Sequence, residues 1–430
     1  MKHSINIVTL GCSKNVVDSE KLAARLHRAG YTLVHDGAVE AAPVVVVNTC
    51  GFIDSAKEES VNTILAFAQA KQQGKLRALF VMGCLAERYK DELRKELAEV
   101  DDFFGVNKLD DVLTALGVPH AQALLGERLL STARHYAYLK ISEGCSWKCS
   151  YCAIPLIRGN HVSTPLEQLV SEAEMLAAQG VKELMVVAQD STYYGLDLYG
   201  HRCLAQLLRA LSELRGLEWI RLHYAYPAQF PPDLIDELRS NPKLCKYLDI
   251  PFQHASDAVL RAMRRGHTRQ QAFDLVAQLR EQVPNIALRT TLMVGHPGED
   301  EAAFAELLDF VRTARFERLG VFTYSEEEGT YGAAHLADTI PPAEKQRRAD
   351  ELMRLQQGIS AELNAARVGH SFRVLIDRKE GDYYIGRTQH DSPEVDGEVL
   401  IPAATRRLRC GTFHNVRITG AEEFDLFGEI

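Results

Sequence analysis

The sequence has no uninterrupted run of 18 or more apolar residues, so it offers no candidate membrane span. Its first ten residues, MKHSINIVTL, lack the long apolar core of a secretion signal and read instead as a short strand. Both observations predict a cytoplasmic chain with no membrane partner. An even cysteine count is missing too. There are nine cysteines, and an odd number without a secretion signal argues against a disulfide framework. Clustered thiols in a reducing compartment are more often metal ligands. A basic excess is also absent. The formal charge is −9, which is not the footprint of a general nucleic-acid binder and suits a basic partner. No internal repeat or low-complexity tract occurs. What remains is a chain of 430 residues, 46% hydrophobic, enough for two or three domains that each bury a core.

The first segment reads as three strand–helix units. Residues 5–10 form a short apolar strand, and 18–29 carry helical apolar spacing that stops at Gly30. Four valines at 44–47 mark a strand buried on both faces. Asp54 is a candidate N-cap for a helix reaching Gln73, with Gly74 as its stop. A third strand at 79–82 precedes a helix at 86–98. This alternation implies a doubly wound parallel α/β domain, placed at 1–118. A less patterned connector covers 117–134. A second series then places strands at 138–141, 184–188, 219–222, 247–250, 286–293 and 319–322. The first helix among them would have Ser163 or Thr164 as its cap and Pro165 at its first position. Six units make a partial (β/α)6 barrel, which with a long helix at 343–367 gives a central domain at 131–362. From Phe372 the chain turns to short alternating strands with turn signals at 380–382 and 396–397. A small antiparallel β-barrel is expected there, as a third domain at 364–430.

The densest motif is Cys145-Ser146-Trp147-Lys148-Cys149-Ser150-Tyr151-Cys152, with the spacing C-x3-C-x2-C. Three thiolates this close can bind three irons of one cubane cluster, which leaves the fourth iron open to a small molecule. Structural zinc usually takes four ligands in C-x2-C pairs, and no fourth Cys or His lies nearby in sequence. The blander alternatives are a zinc site or unpaired thiols.

Three further cysteines are far apart in sequence but alike in setting. Cys12, Cys50 and Cys84 each follow a predicted strand, in Leu10-Gly11-Cys12, Asn48-Thr49-Cys50-Gly51 and Met82-Gly83-Cys84. Successive parallel strands bring such positions to one edge of the sheet, where open α/β folds bind ligands. A glycine beside each would let backbone approach a bulky ligand closely. A second three-thiolate site follows, against the alternative that buried cysteines fall there by chance. Cys203, Cys245 and Cys410 lack such placement and read as structural.

With these residues in hand, the chain resembles the radical S-adenosylmethionine superfamily. The resemblance implies a 4Fe-4S cluster on Cys145, Cys149 and Cys152 whose open iron chelates S-adenosylmethionine. It also implies cofactor contacts from Tyr151, which precedes the third cysteine, from Gln189 beside Asp190, and from Gly295, Gly298 and Glu299 in the Gly295-His296-Pro297-Gly298-Glu299 turn. Over nearly its whole length the chain is similar to the methylthiotransferases, whose tail domain is called TRAM. Members modify an adenosine of transfer RNA (MiaB-type) or an aspartate of ribosomal protein uS12 (RimO-type). The segments GCSKN at 11–15, NTCGFI at 48–53, CAIPLIRG at 152–159, DIPFQH at 249–254 and YSEEEGT at 324–330 look like the second group.

That resemblance implies two 4Fe-4S clusters, the second on Cys12, Cys50 and Cys84, with S-adenosylmethionine as both radical source and methyl donor. It implies uS12 or the small ribosomal subunit as substrate, and a reduced flavodoxin- or ferredoxin-like electron donor. The chemistry fits: the target C–H bond beside a carboxylate is hardly acidic, so a radical removes what a side-chain base cannot. His254 and Glu299 are candidate acid–base groups at the barrel mouth, although local hydrogen bonding is the commoner role for such residues. From residue 365 onward the tail carries nine basic and eleven acidic residues. An RNA-gripping module normally shows a basic excess, so the balance tilts toward a basic protein substrate. Arg406, Arg407 and Arg409 could still form a local, secondary RNA contact.

Overall fold

Residues 4–118, 126–404 and 406–430 are described in the computed structural model; of the expected connector, 119–125 lie outside them. The N-terminal sheet has five parallel strands, β1 Ser4–Thr9, β2 Thr32–His35, β3 Val44–Thr49, β4 Ala78–Gly83 and β5 Asp102–Phe104, in the order β2-β1-β3-β4-β5. The sequence signalled only β1, β3 and β4. The two edge strands were missed because they are short, and β2 is only partly buried. Val44 to Val47 are buried at the centre of the sheet, each contributing about 1.5–3 kcal/mol. Helices α1 Ser13–Arg28, α2 Asp54–Gln72 and α3 Cys84–Glu96 connect the strands, and α4 Leu109–Ala115 follows. Helix α1 begins five residues before its expected start, directly after Cys12, and Asp54 is the first residue of α2 rather than its cap.

The central domain is an open sheet of six parallel strands: β6 Tyr136–Lys140, β9 Glu183–Val187, β10 Trp219–Leu222, β11 Leu244–Asp249, β12 Ala287–Val294 and β13 Arg318–Thr323. A two-residue ribbon, β7 Ser142–Glu143 with β8 Val162–Ser163, braces the loop after β6. Ser163 therefore belongs to a strand, and Pro165 itself is the N-cap of the helix Leu166–Ala178. The sheet is unclosed, as a partial barrel should be. Helix α1 lies against its β6 edge and the long helix Pro342–Ala365 against β13.

The tail forms a closed barrel of β14 Ser371–Glu380, β15 Tyr383–Thr388, β16 Val399–Pro402, β17 Phe413–Ala421 and β18 Leu426–Glu429. It is not wholly antiparallel: β16 and β18 run parallel. Its segment 388–396 forms the floor of the central barrel, at the amino ends of the strands. Glu394 accepts from the hydroxyls of Tyr136 and Tyr138, Asp396 from Tyr247 at 2.8 Å, and Asp391 pairs with Arg318 at 2.5 Å. Arg387, 1% exposed, bridges Glu183 at 2.7 Å and Asp377 at 2.6 Å. Asp377, Asp391, Glu394 and Asp396 are thus committed to the barrel. The acidic excess counted in the tail is largely internal and says little about an outside partner. Cys203 and Cys245 are buried as expected, but Cys410 is exposed, in the loop before β17.

Burial pushes Glu183, Asp377 and Asp391 toward higher pKa, yet their guanidinium partners outweigh it and hold all three below the ordinary carboxylate values. A lowered folded-state value gives stability that is full above the ordinary values of 4.5 and 3.8 and is lost as pH falls through the folded one. The tail should therefore loosen from the barrel as acid is added below that range. Arg387→Met should cost about 3–5 kcal/mol by leaving buried carboxylates uncompensated. Urea unfolding measures the second effect, and the fluorescence of Trp219, edge-on to Phe413 at 4.8 Å, reports the first.

Candidate functional site

Cys145, Cys149 and Cys152 lie on one loop at the carboxyl end of the central sheet. Gly144 (φ +72°) opens the loop, where an added Cβ would sit 2.2 Å from the carbonyl oxygen of Asn160. Backbone bonds fix its course: Cys145 N–H to Gly159 O at 3.0 Å, Ser150 N–H to Met263 O at 3.0 Å and Cys152 N–H to Cys149 O at 3.1 Å. The thiols are close enough to influence one another. Burial pushes Cys145 up to about 12, and burial with the neighbouring Cys149 pushes Cys152 higher still.

Around Cys149 stands a stack that the sequence did not signal. Arg265 Nη1 lies 3.6 Å from its Sγ and Tyr226 Oη 3.9 Å. The Arg265 guanidinium covers the Tyr226 ring at 4.1 Å, and the Trp147 ring stacks with that of Tyr226 at 4.1 Å. Trp147 Nε1 donates to Asp190 at 2.6 Å, so Asp190 anchors the motif's tryptophan. Its neighbour Gln189 has a buried Oε1 with no partner among the described residues, as a group awaiting a ligand would. Tyr151 packs against Val259, Met263 and Ala303 with its edge on His296. Gly295 (φ +76°) donates its N–H to Glu299 Oε2 at 2.9 Å, while beside Gly298 (φ +92°) an added Cβ would meet nothing within 4 Å. Glu299 is buried, held also by Arg348 at 2.7 Å and His254 at 3.2 Å. His254 Nδ1 accepts from Ser256 N–H. Both acid–base candidates are therefore locked into local hydrogen bonds that shape the turn.

The second trio is also brought together. Cys12 caps α1, Cys50 follows β3 and Cys84 opens α3, all at the carboxyl edge of the N-terminal sheet. Their glycines have a different task from the expected one. An added Cβ on Gly11 (φ +94°) would fall 2.5 Å from Cys50 Cβ, one on Gly83 (φ +100°) 2.6 Å from Thr49 O, and one on Gly51 2.8 Å from Leu85 Cα. The glycines admit neighbouring chain rather than a ligand. Asn15 Nδ2 ties the strand ends, donating to Leu10 O at 2.8 Å and Thr49 O at 3.1 Å. Burial pushes Cys84 up to about 11, against the pull of Arg158, with Cys12 and Cys50 adding to the rise.

Arg158 joins the two trios. It ends the short helix α5 Ile154–Arg158, which begins two residues after Cys152. Its Nη2 lies 3.3 Å from Cys84 Sγ and 2.7 Å from Asn15 Oδ1, and its Nη1 donates to Glu143 at 2.6 Å. Ala153 and Ile157 pack on Cys84. Glu143 in turn meets Lys140, which reaches Asp18 of α1. Across the same seam Glu327, in the YSEEEGT segment, takes Lys57 at 2.9 Å and Arg88 at 2.7 Å.

Among the described residues no three His, Cys, Asp or Glu side chains converge on a single metal ion. A four-iron cube makes no such demand, since it offers a separate iron to each sulfur. Two all-thiol trios beside guanidinium groups, and an unpartnered Gln189 oxygen near one of them, fit clusters and a polar ligand.

Three family models match: "Uncharacterized protein family UPF0004" over residues 4–105, "Radical SAM superfamily" over 139–311 and "TRAM domain" over 368–430. The ribosomal protein uS12 methylthiotransferase RimO of Bacteroides fragilis is 55% identical over 429 residues, covering 100% of this chain and 99% of the relative. That of Porphyromonas gingivalis is 53% identical over 430 residues, with 100% and 99% covered. Among solved structures, the radical S-adenosylmethionine methyltransferase TsrM of Kitasatospora setae, with cobalamin and a 4Fe-4S cluster bound, shares the fold. Its TM-score is 0.54 at 15% identity, over 75% of each chain. The cobalamin-dependent radical enzyme OxsB aligns with TM-score 0.53 at 13% identity, over 83% of this chain and 56% of that one.

Arg158→Met should cost about 3–5 kcal/mol in urea unfolding, because Glu143 and Asn15 lose a buried partner. It should also raise the pH midpoint of Cys84 alkylation in metal-free protein, since the cation favours the thiolate. An unmoved midpoint, read by mass spectrometry of the labelled peptide, would contradict this role.

Proposed function

The chain belongs to the RimO family of ribosomal protein uS12 methylthiotransferases, and from that premise we propose that it attaches a methylthio group to an aspartate side chain of uS12, using S-adenosylmethionine and two 4Fe-4S clusters. The bound cofactors supply the one-electron chemistry that an unactivated C–H bond demands. The protein's part is to hold, orient and exclude water. Cys145, Cys149 and Cys152 hold one cluster, and Arg265 and Tyr226 direct donors at the Cys149 sulfur. Tyr151, Gln189, Gly295 and Gly298 form the S-adenosylmethionine cradle, whose turn Glu299 fixes from behind. Cys12, Cys50 and Cys84 hold the second cluster.

One observation carries this reading: helix α5 starts beside the first trio and ends with Arg158 on the second, so a single helical turn spans from one centre to the other. The assignment divides the chain at 1–118, 131–362 and 364–430. Its setting is the cytoplasm, where uS12 or the small ribosomal subunit is substrate and a reduced flavodoxin- or ferredoxin-like protein gives electrons. No helix among the described residues is long and apolar enough to cross a membrane. The exposed Arg406, Arg407 and Arg409 favour a secondary RNA contact, and with it a second reading as a transfer-RNA adenosine methylthiotransferase of MiaB type.

Anaerobic reconstitution should load about eight irons per chain, two four-iron cubes. Changing Cys145, Cys149 and Cys152 to Ala should halve the iron and abolish S-adenosylmethionine cleavage. Changing Cys12, Cys50 and Cys84 should halve it and leave some cleavage; full iron retention there defeats the two-cluster assignment. Mass spectrometry of a deletion strain decides the substrate. Loss of the modification on uS12 supports the proposal, and loss from transfer-RNA nucleosides supports the second reading instead.

A further inference from the structure

Lys14 lies on the first turn of α1, two residues past Cys12, with 6% of its surface exposed. Its ammonium sits 3.3 Å from the centroid of the Tyr224 ring. Among the described residues it has no carboxylate partner and makes no hydrogen bond. Other buried lysines are committed, Lys140 to Asp18 and Glu143 and Lys345 to Asp338 and Tyr324 O. Asp249, which accepts from the N–H of Tyr224 at 3.4 Å, is already engaged by Arg289 at 2.9 Å. His223 beside it stays neutral through burial and its cationic neighbours, Lys14 among them. The ammonium therefore lacks an anion, and a ring face supplies only part of what a carboxylate would.

The position is informative. Tyr224 lies two residues before Tyr226, whose hydroxyl reaches the Cys149 thiol. Lys14 thus links the turn that follows Cys12 to the segment whose Tyr226 touches the first trio. A substrate aspartate must present its carbon between the two centres, with a carboxylate on the adjoining atom. We propose that Lys14 binds that carboxylate and so selects an aspartate over a neutral side chain or a nucleobase; the inference rests on the uS12 reading above. A compact ammonium can follow the carboxylate as the neighbouring carbon changes geometry, and its contact with Tyr224 keeps it aimed while the site is empty of substrate.

The test uses full-length protein reconstituted without oxygen and recombinant uS12 carrying Asp or Asn at the modified position. Wild-type protein should bind the Asp form roughly ten- to a hundredfold tighter, the range of one buried charge-assisted hydrogen bond. Lys14→Met and Lys14→Gln should bind both forms alike while holding the wild-type iron content, and Lys14→Arg should recover part of the preference. Variants that keep the wild-type ratio overturn the proposal. So does a loss of S-adenosylmethionine affinity in equilibrium dialysis with the uS12 ratio intact, which would assign the cation to the cofactor's own carboxylate. Wild-type protein that methylthiolates uS12 yet binds both forms equally sinks the Lys14 inference alone. Wild-type protein that leaves uS12 unmodified sinks the reading beneath it.

Discussion

The buried Arg158 contact is what turns two sheets into one site. Each parallel sheet collects its ligand-bearing loops at its carboxyl edge, but nothing in either sheet requires the two edges to meet. A guanidinium between Cys84, Asn15 and Glu143, supported by Lys140 and Asp18, supplies that requirement. Its planar fork satisfies several acceptors in fixed directions, which an ammonium could not do. Because Arg158 ends a single helical turn anchored just beyond Cys152, the spacing of the two thiol trios is set by backbone geometry rather than by long side chains. Glu143 shows how strongly the knot is held: burial would raise its carboxyl, yet Lys140 and Arg158 keep it down at about 2.

At the opposite end of the central sheet the same logic is repeated with different parts. Arg221, Arg387 and Glu183 sit wholly inside, joined to Asp377 and to backbone carbonyls of the tail. Such clusters seldom add much net stability over apolar packing, but breaking them is expensive. They favour one docking of the tail over others of similar area. The tail therefore acts first as the floor of the barrel, and only its outer face, with the three arginines at 406, 407 and 409, remains to touch anything else.

The fold was legible wherever periodicity was strong. The four valines of β3 and all six central strands were visible, with ends displaced by a few residues. The edge strands β2 and β5 were not, because short and partly exposed segments carry little pattern. The thiol trios were legible from spacing and from their common place after strands, yet the glycines beside them were misread: only the packed structure shows that a Cβ at Gly11 or Gly83 would strike the neighbouring chain. Arg265, Tyr226 and Arg158 left no sequence signal of their partnership with sulfur, since the contacts span 116, 77 and 74 residues. The tail's acidic balance pointed to the protein substrate that the relatives share, but on thin ground, for a related reason. Counting charges cannot tell a solvated carboxylate from one spent on a buried arginine. For His254 and Glu299 the commoner role, local hydrogen bonding, is the one the packed turn shows.

The floor of the barrel has a consequence for biogenesis. Glu183 and Arg387 are 204 residues apart, so a growing polypeptide presents an open-ended sheet, with Glu183 met only by Arg221, until the tail has been made. Contacts this distant in sequence form late and slow the final step of folding. A product lacking the tail would present that unfinished end to proteases, so the tail doubles as a seal on the workmanship of everything made before it.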